Sequence, residues 1–170
     1  MPMRVIPIAV LLTLLITTAL LLLLSATAGC RHNLGQEALR PSVLAEGAGI
    51  EWEILNQEVI SLYEQGRYDR AVVVAKKALE VAEKNVGPNH PDVATSLNNL
   101  AELYRTQGQY AQAEPLYKRA LAINEKALGP NHPDVAWILE NMAPLYRATD
   151  RQREAEKLEE RAAAIRAVSR

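Results

Sequence analysis

Apolar positions recur along the C-terminal two-thirds of the chain with the spacing of one helical face. Val93, Leu97, Leu100, Ala101 and Tyr104 stand at i, i+4, i+7, i+8 and i+11, a stripe that predicts an amphipathic helix. Val135, Leu139, Met142, Ala143 and Tyr146 repeat the stripe farther along. A second stripe, Ala113, Leu116, Tyr117, Ala120 and Ile123, predicts a partner helix. It has counterparts in Ala71, Val74, Ala75, Ala78 and Val81 and in Ala155, Leu158, Glu159, Ala162 and Ile165. Alanine holds the 71/113/155 and 78/120/162 positions in every copy, which predicts two helix axes in close approach.

The loops keep the same rhythm. Gly87-Pro-Asn-His-Pro-Asp-Val93 returns as Gly129-Pro-Asn-His-Pro-Asp-Val135, and Gly66-Arg-Tyr-Asp-Arg-Ala71 as Gly108-Gln-Tyr-Ala-Gln-Ala113, both after 42 residues. Asp150-Arg-Gln-Arg-Glu-Ala155 is a weaker third copy. Two independent motifs at one interval mean stacked supersecondary units. Gly66 and Gly108 are expected to end the first helix of a pair in a left-handed conformation, and Gly87 and Gly129 to end the second. Pro91 and Pro133 suit the first turn of the next helix, with Asp92 and Asp134 complementing its dipole. Pro144 falls inside a predicted helix, where it removes a backbone hydrogen bond and is expected to kink it.

The N-terminal pattern is different. Val5 to Leu24 is apolar apart from Pro7, Thr13, Thr17 and Thr18, and no charge follows Arg4 until Arg31. A run of roughly 20 apolar residues matches a bilayer span, and a positive start, an apolar run and then small residues is the layout of an export signal. Thr27-Ala28-Gly29-Cys30 resembles the lipobox of bacterial lipoproteins, with Thr27 in place of the usual Leu; the resemblance implies lipidation at Cys30. Two other fates stay open: cleavage after Ala26-Thr27-Ala28, releasing the protein, or retention of the run as an anchor. Cys30 is the only cysteine, so no intrachain disulfide is possible, and its place beside the small-residue stretch favours the lipid. Each fate puts the rest of the chain on the extracytoplasmic side. Residues 1–29 are therefore read as signal or anchor, 30–50 as a linker rich in glycine, and 51–170 as the repeat domain, with repeats near 51–89, 90–131 and 132–170.

Leu97-Asn-Asn-Leu-Ala-Glu-Leu-Tyr104, Gln107-Gly-Gln-Tyr110, Ala113-Glu-Pro-Leu-Tyr-Lys-Arg-Ala-Leu121 and Leu128-Gly-Pro-Asn-His-Pro-Asp-Val-Ala136 resemble the tetratricopeptide repeat, in its longer form found in kinesin light chains and many bacterial proteins. The resemblance implies an all-α, right-handed α-solenoid of about three helix-turn-helix repeats whose first helices line a concave, peptide-binding groove. It weakens at the ends, where Glu51 and Glu58 replace Val93 and Leu100, and Glu159 replaces Tyr117.

Composition narrows the chemistry. Lys and Arg number 19 against 20 Asp and Glu, which gives no basic surface for nucleic acid. No phosphate-binding glycine loop, nucleophile elbow or zinc-ligand spacing is present, so neither catalysis nor a cofactor is expected. His90 and His132 occupy equivalent turns without a second ligand at i+3 or i+4, which fits capping better than metal. His32 has no partner in the linker, and Glu159-Glu160 reads as a solvated helix face.

Positions beside the apolar stripe of the first helices form columns: Asn56, Asn98, Glu140; Gln57, Asn99, Asn141; Tyr63, Arg105, Arg147. Amides can pair with an extended backbone whatever its sequence, and the two Arg side chains would favour acidic groups or a C-terminal carboxylate. The alternative is that Asn98, Asn99 and Asn141 bond the adjoining repeat. The function expected is a tethered scaffold holding a protein or peptide partner. Self-assembly through the end faces, or a place as accessory subunit of an envelope enzyme or transport complex, are the alternatives.

Overall fold

The computed structural model describes residues 41–168. The chain divides into two compact units, Met1–Glu46 and Gly47–Arg170, and the repeats lie in the second. The apolar N-terminal run, Cys30 and His32 lie outside the described residues.

Six helices follow one another, with no strand among the described residues: α1 (Pro41–Glu64), α2 (Tyr68–Val86), α3 (Pro91–Thr106), α4 (Tyr110–Leu128), α5 (Pro133–Ala148) and α6 (Gln152–Val168). They form three antiparallel pairs stacked as an α-solenoid. Helix α1 begins at Pro41, inside the segment read as a linker, and runs through Gly47 and Gly49. Proline is at home in a first helical turn because its missing N–H would be unsatisfied there anyway. The glycines weaken the helix without breaking it.

The turns are built as the sequence predicts. Gly66, Gly87, Gly108 and Gly129 all have positive φ, and Asp150, in the place of Gly66 and Gly108, also takes φ 60°. His90 and His132 are N-caps: Nδ1 of each accepts the backbone N–H of Asp92 or Asp134 at 3.2 Å. An imidazole nitrogen here does what a Ser or Asp oxygen does at most helix starts. Pro91 and Pro133 follow in the first turn. Pro144 does not shorten its helix: α5 has the same 16 residues as α3, and the proline ring is exposed on its surface.

Packing rests on the predicted stripes. Ala71, Ala113, Ala155, Ala78, Ala120 and Ala162 are all at most 1% exposed, so the second helices meet their neighbours through methyl groups. Val93, Leu97, Ala101, Tyr117, Ile138 and Met142 share one core that runs across the repeats. In the first repeat the periodicity shows which face a preceding unit would cover. Ile54 is 62% exposed where Ser96 and Ile138, its counterparts, are at most 1% exposed. Glu51 and Glu58 lie exposed on that same face, opposite in character to the buried Val93 and Leu100.

A clasp recurs at both junctions on the second helices. Arg119 on α4 reaches Glu83 on α2 at 2.6 Å and the Pro88 carbonyl at 3.4 Å. Arg161 on α6 reaches Glu125 on α4 at 2.6 Å and the Pro130 carbonyl at 3.2 Å.

Candidate functional site

The first helices α1, α3 and α5 lie side by side and enclose a groove of about 250 Å³. Val59, Ile60 and Tyr63 come from α1, Asn98, Asn99, Glu102 and Leu103 from α3, and Trp137 and Asn141 from α5. Of the sequence-predicted site residues, Tyr63, Asn98, Asn99 and Asn141 line it. Asn56, Gln57, Arg105 and Arg147 do not.

The amides bond across repeats. Asn99 Nδ2 donates to Asn56 Oδ1 at 3.1 Å, and Asn141 Nδ2 donates to Asn98 Oδ1 at 3.2 Å. Asn56 Nδ2 in turn donates to the Trp52 carbonyl at 3.1 Å. Asn56 and Asn98 are buried, at 8% and 1% exposure, whereas Asn99 and Asn141 are half-buried at the groove surface. Each pair uses one donor and one acceptor, so an amide of this kind retains capacity for another partner. The ladder is therefore both a junction and a groove floor.

The two arginines are committed within the chain. Arg105 Nε donates to Glu102 Oε2 at 2.8 Å, and a second guanidinium N–H donates to Glu102 Oε1. Tyr117 donates its hydroxyl to Glu102 at 2.7 Å and Tyr63 donates at 3.2 Å. Burial works to raise the Glu102 pKa, but the Arg105 and Tyr117 hydrogen bonds, the Arg105 charge and the Tyr63 hydroxyl outweigh it and hold the carboxyl below its ordinary range. Burial and the Glu102 charge push the Tyr117 phenol up. Arg147 pairs with Glu159 on α6 at 2.6 Å. The expectation of free cations for an acidic ligand thus meets a groove whose charges are already matched.

Five groove residues were not among those predicted: Val59, Ile60, Glu102, Leu103 and Trp137. Ile60 stands where the middle repeat has Glu102, and Trp137 where it has Thr95. Both are departures from the repeat, and that departure was the available signal.

A second polar cluster ties α4 to α5. Glu114 accepts from Lys118 at 2.7 Å, Arg151 at 2.9 Å and the Tyr146 hydroxyl at 3.1 Å. The Lys118 and Arg151 hydrogen bonds lower its pKa to about 2. The Arg151 guanidinium also lies 3.9 Å from the Tyr146 ring centroid. Glu140 is engaged by Arg166 at 2.8 and 3.0 Å. No group of three metal-ligating side chains occurs among the described residues.

A family model for the tetratricopeptide repeat matches residues 53–126 and 96–167. The chain belongs to the tetratricopeptide repeat family. Among solved structures, it is similar to BtubC (BKLC) from P. vanneervenii, with 28% identity and a TM-score of 0.65 over 71% of this chain and 47% of that one. It also resembles a Podosopora anserina protein of kinesin-light-chain type with nearly identical TPR-like repeats, at 25% identity and a TM-score of 0.64, over 71% and 57% of the two chains. Curated relatives include the RxLR effector protein SFI4 of Phytophthora infestans, 34% identical over 71 residues. The secreted RxLR effector protein RXLR-C07 of Plasmopara halstedii is 33% identical over 64 residues. Those matches cover 41% and 38% of this chain and only 21% and 20% of the relatives. The tetratricopeptide repeats indicate a protein-interaction scaffold.

Proposed function

We propose that this chain is a non-catalytic scaffold, held at the extracytoplasmic face of a membrane through its N-terminus, that takes an extended segment of a protein partner into the groove of its first helices. The observation that carries this reading is the groove itself: side chains from all three repeats converge on one opening whose floor is amide and whose walls are apolar apart from Glu102 and the Tyr63 phenol. Its volume is below the roughly 300–1,000 Å³ of small-molecule pockets, which favours a peptide side chain over a cofactor. Tethering rests on the apolar run and on Cys30, with lipidation preferred to a retained anchor or release. Among the described residues no helix is long and apolar enough to cross a membrane, so the first 40 residues would have to supply the attachment.

Self-assembly is the weaker alternative. Stacking end to end needs apolar, complementary faces, whereas on the first helix Glu51 and Glu58 flank the exposed Ile54 with charge. At the other end, Glu140–Arg166 and Arg147–Glu159 are exposed ion pairs.

The test is a photo-crosslinking residue placed in cells at Ile60 in the groove or at Val73, which is 69% exposed on α2. A discrete adduct from Ile60 and none from Val73 supports the groove. Adducts from Val73 alone, or from neither, would sink it. Mass spectrometry of the same purified protein reads the attachment: a thioether-linked lipid on Cys30 is expected, and an unmodified Met1 or a free N-terminus beyond Ala28 refutes lipidation.

A further inference from the structure

Granting the groove reading above, we infer that the groove selects an uncharged extended segment that seats one apolar side chain between Ile60 and Trp137. The sequence columns favoured the opposite, an acidic ligand drawn to Arg105 and Arg147. Neither arginine lines the opening, and each is bonded to a carboxylate of its own chain.

Glu102 is the one ionisable acid or base on the groove wall apart from the Tyr63 phenol. Its carboxylate already accepts from Arg105 twice, from Tyr117 and from Tyr63. A carboxylate offers about four acceptor positions, so a basic ligand finds no vacant lone pair. An acidic ligand meets that same carboxylate with its counter-charge turned to a different task. Neither sign of charge gains on entering, and both lose hydration.

The apolar wall has a specific origin. Ile60, 45% exposed, replaces the glutamate of the middle repeat, and Trp137 replaces a threonine. Val59 and Leu103, both nearly fully buried, close the space behind them. Two independent departures from the repeat thus fall on the two helices that flank α3, around one opening the size of a side chain. The half-buried amides of Asn99 and Asn141 lie beside it, within reach of a backbone. Affinity for such a segment would be insensitive to salt, since no exposed charge pair is made.

The probe is a set of capped six-residue alanine–serine peptides whose fourth residue is leucine, glutamate or lysine. They are titrated into the full chain in neutral detergent, following the Trp137 indole and the Asn99 and Asn141 side-chain amide resonances. The leucine peptide should bind roughly tenfold more tightly than the other two, the ratio expected for burying one aliphatic side chain, and equally at low and high salt. Ile60→Glu and Trp137→Thr, each borrowing the middle repeat's own residue, should erase that preference while the helices remain intact. Tighter binding of the glutamate peptide, weakened by salt and by Arg105→Gln, would overturn the neutral seat and leave the groove standing. Absence of any shift in those resonances with all three peptides would overturn the groove and the seat together.

Discussion

Arg147 meets Glu159 across the last helix pair at 2.6 Å, in the place where the middle repeat joins Arg105 to Glu102 along one helix. The repeat positions explain the exchange. Pro144 occupies the site of Glu102, and Glu159 occupies the site of Tyr117. The carboxylate has moved from the first helix to the second, and the arginine has kept a partner. Arg147 and Glu159 are about two-fifths exposed, so their pair contributes little to stability, whereas the Glu102 cluster is half-buried.

That contrast can be measured by urea unfolding. Glu102→Ala leaves the Tyr117 hydroxyl, on a fully buried residue, without its acceptor and should cost about 1–3 kcal/mol. Glu159→Ala should cost less than about 1 kcal/mol. In a double-mutant cycle, Tyr117→Phe and Glu102→Ala should be sub-additive, because both remove the same hydrogen bond. Equal losses at Glu102 and Glu159 would contradict the difference in burial.

Acid should act through Glu114. Its folded pKa is lowered to about 2 from an ordinary 4.5 by the Lys118 and Arg151 hydrogen bonds. The unfolded chain therefore binds the proton first. Stability is fully present above about pH 4.5 and is lost as pH falls toward 2. Denaturation midpoints across that window should slope less steeply for Glu114→Gln than for the parent, with the two curves converging at the acid end. Parallel curves would mean that Glu114 does not carry the linkage. The cluster is partly open to solvent, so salt should shrink the difference.

Asp150 is a left-handed residue at a glycine site. Its counterparts Gly66 and Gly108 take φ 71° and 74°, where a Cβ is disfavoured. Asp150→Gly should raise the thermal midpoint, with a gain of about 0.5–1 kcal/mol after the extra freedom of glycine in the unfolded chain. Gly108→Ala should move it the other way by about 1 kcal/mol. A lower midpoint for Asp150→Gly would show that the aspartate side chain holds the turn.

The histidine caps should behave as caps. His90→Ala and His132→Ala should each cost about 0.5–2 kcal/mol in urea unfolding, and His90→Asp should restore most of the loss, because its oxygen can accept the Asp92 N–H. Failure of the aspartate to rescue would place the role of His90 elsewhere.

The repeat, the helix pairs, the alanine contacts and the turn glycines could all be read from the sequence, because each is local or periodic. The pairing of the columns could not. Asn99 bonds Asn56 and Asn141 bonds Asn98, one residue off the repeat interval. Equivalent residues on stacked helices point the same way, so they cannot face one another, and contact falls between unlike positions. Periodicity finds equivalents and is blind to partners. Arg105 shows the same limit: the column made it a ligand for a guest, although Glu102 stood three residues before it on the same helix. Ile60 and Trp137 fall outside those columns because nothing recurs at their positions, which hold Ile60, Glu102 and Pro144 in one case and Glu53, Thr95 and Trp137 in the other.

The Arg119–Glu83–Pro88 clasp and its copy, Arg161–Glu125–Pro130, make the middle unit a piece with a plug on one side and a matching socket on the other. A duplicate of that unit inserted beside it would present the same arginine backward and the same glutamate forward, and every new seam would close with the fittings already present. Length in such a molecule can grow by copying. Alanine at position 167, where the next socket would need its glutamate, withholds the fitting from any unit placed after the third.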